Sequence, residues 1–298
     1  SYLGESQPVP NLAVRVESYN VDQPTYETGL SVSSVGDLLR TLDANGEQLS
    51  SIERQQIDEL LRQHSLCPTQ SLSDFQQRSE SSRRRAHEMV NQQLGSLFNF
   101  MDPSMEALRD HYGITTSSQA QSSPQAQAAL AAQALKGGVS RVVSIQVTSG
   151  LDTHYDNWLD DQPTQQMVGF SAVSRLIEDL EQSEYMDTGT SWLDHTTIVG
   201  FSEFSRTAML NNSSGRDHAL TNACFLLGGG IKEGQVVGRS SDVGLSPTKV
   251  SLQTGEADPG GEVVRPEHVI QALLTDIGAV DDPADLRVDP LRAILKSG

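Results

Sequence analysis

Two textures of apolar and polar positions follow one another along the chain. In the first, apolar residues recur at helical intervals. Ile52, Ile57, Leu60 and Leu61 share a helical spacing that Ser50 or Ser51 can cap, and Phe75, Met89, Leu94, Leu97 and Phe98 mark inward positions of a second helical run over 72–101. Together they predict an antiparallel helical pair or a helical insertion. Ahead of them, Asn11 to Val16 reads as a strand set among Pro, Gly and Ser turns that continue to about Arg40. After them, Thr115 to Gln127 is rich in Ser, Gln and Ala and holds Pro124. That stretch predicts a mobile, poorly ordered connection, leading into an Ala-rich helix that ends at Gly137–Gly138.

The second texture is that of strands alternating with helices. Val139 to Val147 is β-branched, Met167 to Leu180 is helical, and Thr196 to Phe201 and Ala223 to Leu227 are short apolar runs of the kind buried strands show. Strand, helix and strand at this spacing predict a βαβ crossover in a mostly parallel sheet. Pro266 then opens a last helix with Val269, Leu273, Leu274 and Ile277 on its apolar side and Gly278 at its end. The expected fold class is α/β, a mostly parallel sheet flanked by helices with a helical insertion in the N-terminal half. An irregular and helical region, 1–137, and a sheet region, 138–298, are expected to form one domain together.

Charge narrows the partners. Across 298 residues, 21 Lys and Arg against 39 Asp and Glu leave a net charge of −18, so the whole-protein field repels phosphate backbones and anionic lipid heads. Nucleic acid is excluded as an expected partner. Cys67 and Cys224 are too few for a disulfide framework and lack CxxC spacing, and no apolar run reaches the roughly 18 residues of a membrane span. Ser1 in place of an initiating Met is read as the mark of a processed or trimmed product.

In parallel α/β sheets ligands bind beyond the carboxyl ends of strands, where connecting loops converge. Three polar clusters fall in such places. Asp152 and His154 follow the Val139 to Val147 run, and side chains two apart on extended chain point the same way, offering an oxygen and a nitrogen to one metal. Ordinary turn hydrogen bonding is the alternative. Glu203 and Arg206 follow Thr196 to Phe201; Glu203 suits a metal or a proton and Arg206 an oxyanion, while an internal Glu–Arg pair explains both equally well. Arg216, Asp217 and His218 follow the polar loop Asn211 to Ser214, where a divalent cation, a general acid or a simple turn-plus-cap all fit. Taken jointly, two Asp, two His and a Glu are the donor set that zinc, manganese or similar ions use in hydrolases.

Other features read as structural. Gly228 to Gly230 matches neither nucleotide-binding glycine pattern and predicts a tight turn. Arg83 to Arg85, between Glu80 and Glu88, reads as a solvated helix face, His195 as a hydrogen-bonded structural residue, and Cys224 as a buried inert thiol. His64, His87, His111 and His268 have no carboxylate-rich setting in the sequence.

With these residues in view, the chain from about Gly138 onward resembles the bacterial family called domain of unknown function 1501. The segments that carry the resemblance are GLDTH at 150–154, IVGFSEFSRT at 198–207, GRDH at 215–218 and FLLGGGIKEGQVVG at 225–238, with RPEHVIQALLTDIG at 265–278 and YLGESQPVPNLAVRVES at 2–18 as flanking matches. The resemblance implies an alkaline-phosphatase or sulfatase-like α/β fold and export by a twin-arginine signal, hence a periplasmic or otherwise exported protein. It also implies metal positions at Asp152, His154, Asp217 and His218, with Glu203 close by. Ser205 stands where the family more often has Gly, and the strand on which that superfamily places its nucleophile has no counterpart here. The resulting expectation is a hydrolase of phosphate or sulfate esters using zinc, manganese or calcium, with Arg206 or Arg216 binding the anionic group. The competing expectation is a non-catalytic exported assembly protein that functions with a separate N-terminal segment or partner subunit completing the sheet.

Overall fold

A computed structural model describes residues 8–16, 29–42, seven positions between 52 and 63, 94–242, 244–279 and 285–296. They form two compact units, Ser6–Val147 and Thr148–Gly298. The first unit therefore continues past 137, because the strand at its end pairs back onto the strand at its beginning.

That first unit is built on β1 (Leu12–Val14), β2 (Leu30–Val32) and β3 (Val143–Ile145), a parallel sheet in the order β2-β1-β3. The register sets Leu12 against both Leu30 and Val143. Being central, β1 is buried along its whole length, as its unbroken LAV run requires. α1 (Val35–Leu42) begins where Ser34 Oγ accepts from the Asp37 amide at 3.0 Å, and buries Val35, Leu38 and Leu42 at i, i+3 and i+7. A short 3₁₀ segment, Leu94–Phe98, brings Phe98 into the core, and α2 (Glu106–Tyr112) ends at Gly113 in the left-handed conformation.

The stretch from Thr115 to Gln127 is not a loose connection. It contains α3 (Ser117–Ser122) and the first turn of α4 (Pro124–Lys136). Thr116 and Gln119 form a reciprocal capping box, and Ser123 caps α4 with Pro124 in its first turn. The polar residues that look like linker composition are caps. α4 then ends at Gly137, as its sequence predicts, and is buried nearly all round because its alanines let neighbours approach closely. Of the two predicted N-terminal helical runs, Leu61, Phe75, Met89 and Arg83 to Arg85 lie outside the described residues. Ile52, Ile57 and Leu60 lie at helical positions but are exposed.

The second unit begins with an extended segment and α5 (Trp158–Gln182), whose buried residues Gly169, Ala172, Val173, Leu176 and Leu180 follow helical spacing. β4 (Thr197–Gly200) comes next, then the short ladder β5 (Ser205–Arg206) with β6 (His218–Ala219), then β7 (Phe225–Gly228). β4 and β7 pair antiparallel, Thr197 opposite Gly228 and Gly200 opposite Phe225. This corrects two expectations. The predicted crossover does not form, since β3 belongs to the sheet of β1 and β2, and the only parallel pairing among the described residues lies there. The β5–β6 excursion reverses the chain between β4 and β7, and an antiparallel pair needs no crossover helix. α6 (Pro266–Asp276) buries Val269 and Ala272 against Ile231, Leu252, Leu291 and Leu295, with Leu273 half-buried; Ile277, past the helix end, is exposed.

Gly228 to Gly230 forms a tight turn. Its backbone lies against the segment before β4: Gly229 donates to Leu193 O at 3.1 Å, and a Cβ at Gly229 would sit 1.7 Å from Asp194 O. Among the described residues no helix is long and apolar enough to cross a membrane.

Candidate metal centre

The site grows from three pieces of backbone. The first is the extended segment after Gly150, in which alternation turns Thr153 inward, fully buried, and leaves Asp152 and His154 on the other side. Gln162 of α5 pins this segment by donating to Leu151 O at 2.8 Å and to Thr153 Oγ1 at 3.0 Å. The second and third are β5 and β6, whose register sets Arg206 directly opposite His218. Asp217 joins them to each other, its carbonyl accepting from Thr207 N at 2.9 Å.

Gly215 draws the loop before β6 against the first segment. A Cβ there would fall 2.0 Å from the carbonyl carbon of His154, so only glycine permits the approach. Asn211 closes the loop: its amide donates to His154 O at 3.0 Å, and its side-chain oxygen accepts from the amides of Ser213 and Gly215. The sequence carries a cue for this residue, an Asn opening an Asn-Ser-Ser-Gly turn, but not its role.

Three donor atoms meet at the centre. Asp152 Oδ1 and His154 Nε2 are 2.9 Å apart, His154 Nε2 and His218 Nε2 3.2 Å, and His218 Nε2 and Asp152 Oδ1 3.4 Å. Donors bound tetrahedrally at about 2.0–2.1 Å stand roughly 3.3 Å from one another, so the triangle fits one ion of zinc's size. Its side chains remain open to solvent, Asp152 at 74% and His218 at 50% exposure, which leaves room for a further ligand.

Residues 24–255 match the family model described as Protein of unknown function (DUF1501). The chain belongs to the DUF1501 family. No curated protein and no solved structure matches it, and the alkaline-phosphatase likeness therefore has no structural match behind it. The DUF1501 match takes in the whole centre and also most of the N-terminal unit, while the flanking segments 2–18 and 265–278 fall outside it.

Not every candidate residue joins the triad. Asp217 meets the opposite edge of the His154 ring, its Oδ1 lying 3.0 Å from Nδ1 and accepting from Asn211 Nδ2 at 2.8 Å. Glu203 sits on an exposed bend outside the cluster. Arg206 is committed locally: Nη2 donates to Leu151 O at 2.7 Å and Asp152 Oδ1 at 2.8 Å, while Nη1 lies 3.2 Å from Arg216 O and 3.3 Å from His154 Nε2. Arg216 donates to the carbonyls of Thr207 and Ala208 and stacks 4.3 Å over the Trp158 ring. Both arginines thus fasten the loops that carry the donors. Of the triad, His218 stands on the two-stranded antiparallel β5–β6 ladder, and Asp152 and His154 stand on the extended segment.

Both carboxyls at the site are held in their ionised form by their hydrogen-bond partners. Hydrogen bonds from Arg206, then His218, hold the Asp152 carboxyl down to about 2, and those with His154 and Asn211 lower Asp217. Phe204 stacks on the His218 ring at 3.9 Å and limits its orientation. Elsewhere, His195 bonds Thr190 and stacks on Tyr185, a structural role, and burial raises the Cys224 thiol away from reactivity. His268 does gain a polar setting that the sequence hides: it is fully buried, 2.8 Å from Asp289 O through Nδ1 and 3.6 Å from Glu262 through Nε2.

Proposed function

We propose that this DUF1501 protein is an exported, metal-dependent hydrolase of phosphate or sulfate esters, of the alkaline-phosphatase and sulfatase kind. The observation that carries the reading is the Asp152, His154 and His218 triangle with its open side. Two imidazoles and one carboxylate favour zinc or manganese over calcium, which prefers an all-oxygen shell. When bound, such an ion polarises an ester oxygen and stabilises the charge that develops on it. The chain's own residues prepare the place: Arg206 keeps Asp152 ionised and aimed inward, and Phe204 holds the His218 ring. Export rests on the motifs shared with the family.

The test is metal analysis of the purified chain after reconstitution with zinc, manganese or calcium, followed by assay on aryl phosphate and aryl sulfate esters. One equivalent of zinc or manganese and turnover that is lost in Asp152→Asn/His154→Ala supports the reading; a metal-free chain after reconstitution overturns it. One observation favours binding without turnover. The hydroxyls around Arg206 are committed elsewhere, Ser202 to Phe204 O and Asn222, Ser205 to Thr221 O and Thr207 to Met209 O, so none of the three is poised as a nucleophile. On that reading the protein is an exported assembly partner working with a separate N-terminal segment or subunit, and stoichiometric metal without turnover is its signature.

A further inference from the structure

Asp217 stands one residue from His218 and would pass for a fourth ligand, yet its contact is with the wrong edge of the ring for that. The carboxylate meets Nδ1 of His154, while the triangle is formed by Nε2 on the opposite edge. A carboxylate can only accept from an imidazole N–H, so the Asp217 hydrogen bond places a proton on Nδ1; Asp152 Oδ1, 2.9 Å from Nε2, is near in distance but not aligned as a hydrogen bond, which leaves the Nε2 lone pair of the neutral ring to face the centre. An independent contact agrees: Arg206 Nη1 lies 3.3 Å from the same Nε2, and a guanidinium has only hydrogens to offer. Asn211 in turn donates to the Asp217 oxygen that His154 uses and to the His154 carbonyl, so one side chain fixes the carboxylate and the backbone of its histidine together.

We propose that Asp217 is a positioning residue which sets the tautomer and orientation of His154, and that the centre holds one ion through Asp152, His154 and His218 alone. Outer carboxylates that accept from a ligating imidazole raise its basicity and fix its ring, and losing one typically weakens metal binding about 10- to 100-fold. Asp217 half-exposed on a loop can play this part without entering the coordination sphere. The proposal rests on the metal reading for its consequence, but the tautomer is a property of the chain itself.

Two measurements on the full chain separate these. Cobalt(II) titrations followed by visible absorption report affinity and, through band position and intensity, the ligand set. Asp217→Ala is expected to bind about 10- to 100-fold more weakly with the band shape unchanged, and Asp217→Asn, whose amide oxygen still accepts from Nδ1–H, to recover much of that loss. A changed band in Asp217→Ala identifies Asp217 as a ligand, and an affinity within twofold of wild type shows that it positions nothing; either result overturns the proposal. In parallel, nitrogen NMR of the metal-free chain at pH 8 reads the His154 tautomer. A proton on Nδ1 in the wild type that moves to Nε2 in Asp217→Ala supports the positioning role, and a proton on Nε2 in the wild type refutes it. If cobalt fails to bind the wild type at all, the hydrolase reading falls, while the NMR result still decides the role of Asp217.

Discussion

At the scale of single residues, the centre is held by groups that titrate and by one that must have no side chain. Asp152 has a folded-state pKa of about 2, below the ordinary carboxylate value near 3.8, because Arg206 and His218 bond its charged form. A depressed carboxylate contributes stability that is present above its unfolded pKa and is lost as pH falls through the folded one. Melting temperatures of wild type and Asp152→Asn should therefore differ most at pH 5 and converge between about pH 4 and pH 2, more weakly in high salt because the group is exposed. A gap that stays constant over that window would show that Asp152 does not carry the linkage. Gly215 is the second case. Its Cβ would overlap the His154 carbonyl carbon at 2.0 Å, and backbone on both sides leaves nothing flexible to yield. Gly215→Ala should cost about 2 kcal/mol or more in denaturant unfolding and disturb His154, whereas a loss under about 0.5 kcal/mol would mean the loop gives way without harm.

At the scale of elements, α3 shows how composition misleads when position is what matters. Thr116 and Gln119 satisfy each other's backbone amides, and without the Thr hydroxyl one of those bonds is gone. Thr116→Ala should lower stability by about 1 kcal/mol, and limited proteolysis of the wild type should leave 115–127 uncut until global unfolding. Early cleavage there would contradict the capping box. The same contrast explains which elements the sequence discloses. The α4 stop at Gly137, the Pro266 start of α6, the strand runs in β1, β3, β4 and β7, and the Gly228 turn are local matters of backbone preference, and each is legible. Pairing is not local. Nothing in the apolar run of β3 says that it will join β1, more than a hundred residues earlier, and nothing in β4 says that its partner will run antiparallel. The centre divides along the same line. Asp152, His154 and His218 are visible as residue types in loop positions. The demotion of Asp217 to the far edge of a ring, the exclusion of Glu203 and the use of Arg206 and Arg216 as fasteners depend on side-chain directions that appear only once β5 and β6 are paired.

At the scale of the whole molecule, the excess of 39 acidic over 21 basic residues acts on any ion before the centre does. A net charge of −18 attracts divalent cations and repels phosphate and sulfate esters, so metal capture is favoured by the global field and ester capture is opposed by it. Within the centre, Arg206 offsets this only over a short range, because it is already paired with Asp152, and a cation held by the triad would add to it only locally. Raising ionic strength from about 10 to 100 mM shortens the Debye length from about 30 to about 10 Å, which removes most of the long-range term and leaves contacts at the site nearly untouched. Cobalt(II) affinity measured by titration is therefore expected to fall several-fold over that range. For the metal-loaded chain, kcat/KM for an aryl phosphate should rise over the same range, since what screening removes is repulsion. The two opposite trends separate the global field from the local site. If both quantities fall with salt, the ester meets a positive local field that outweighs the acidic surface, and the centre has more free cationic charge than the ion pair between Arg206 and Asp152 leaves it.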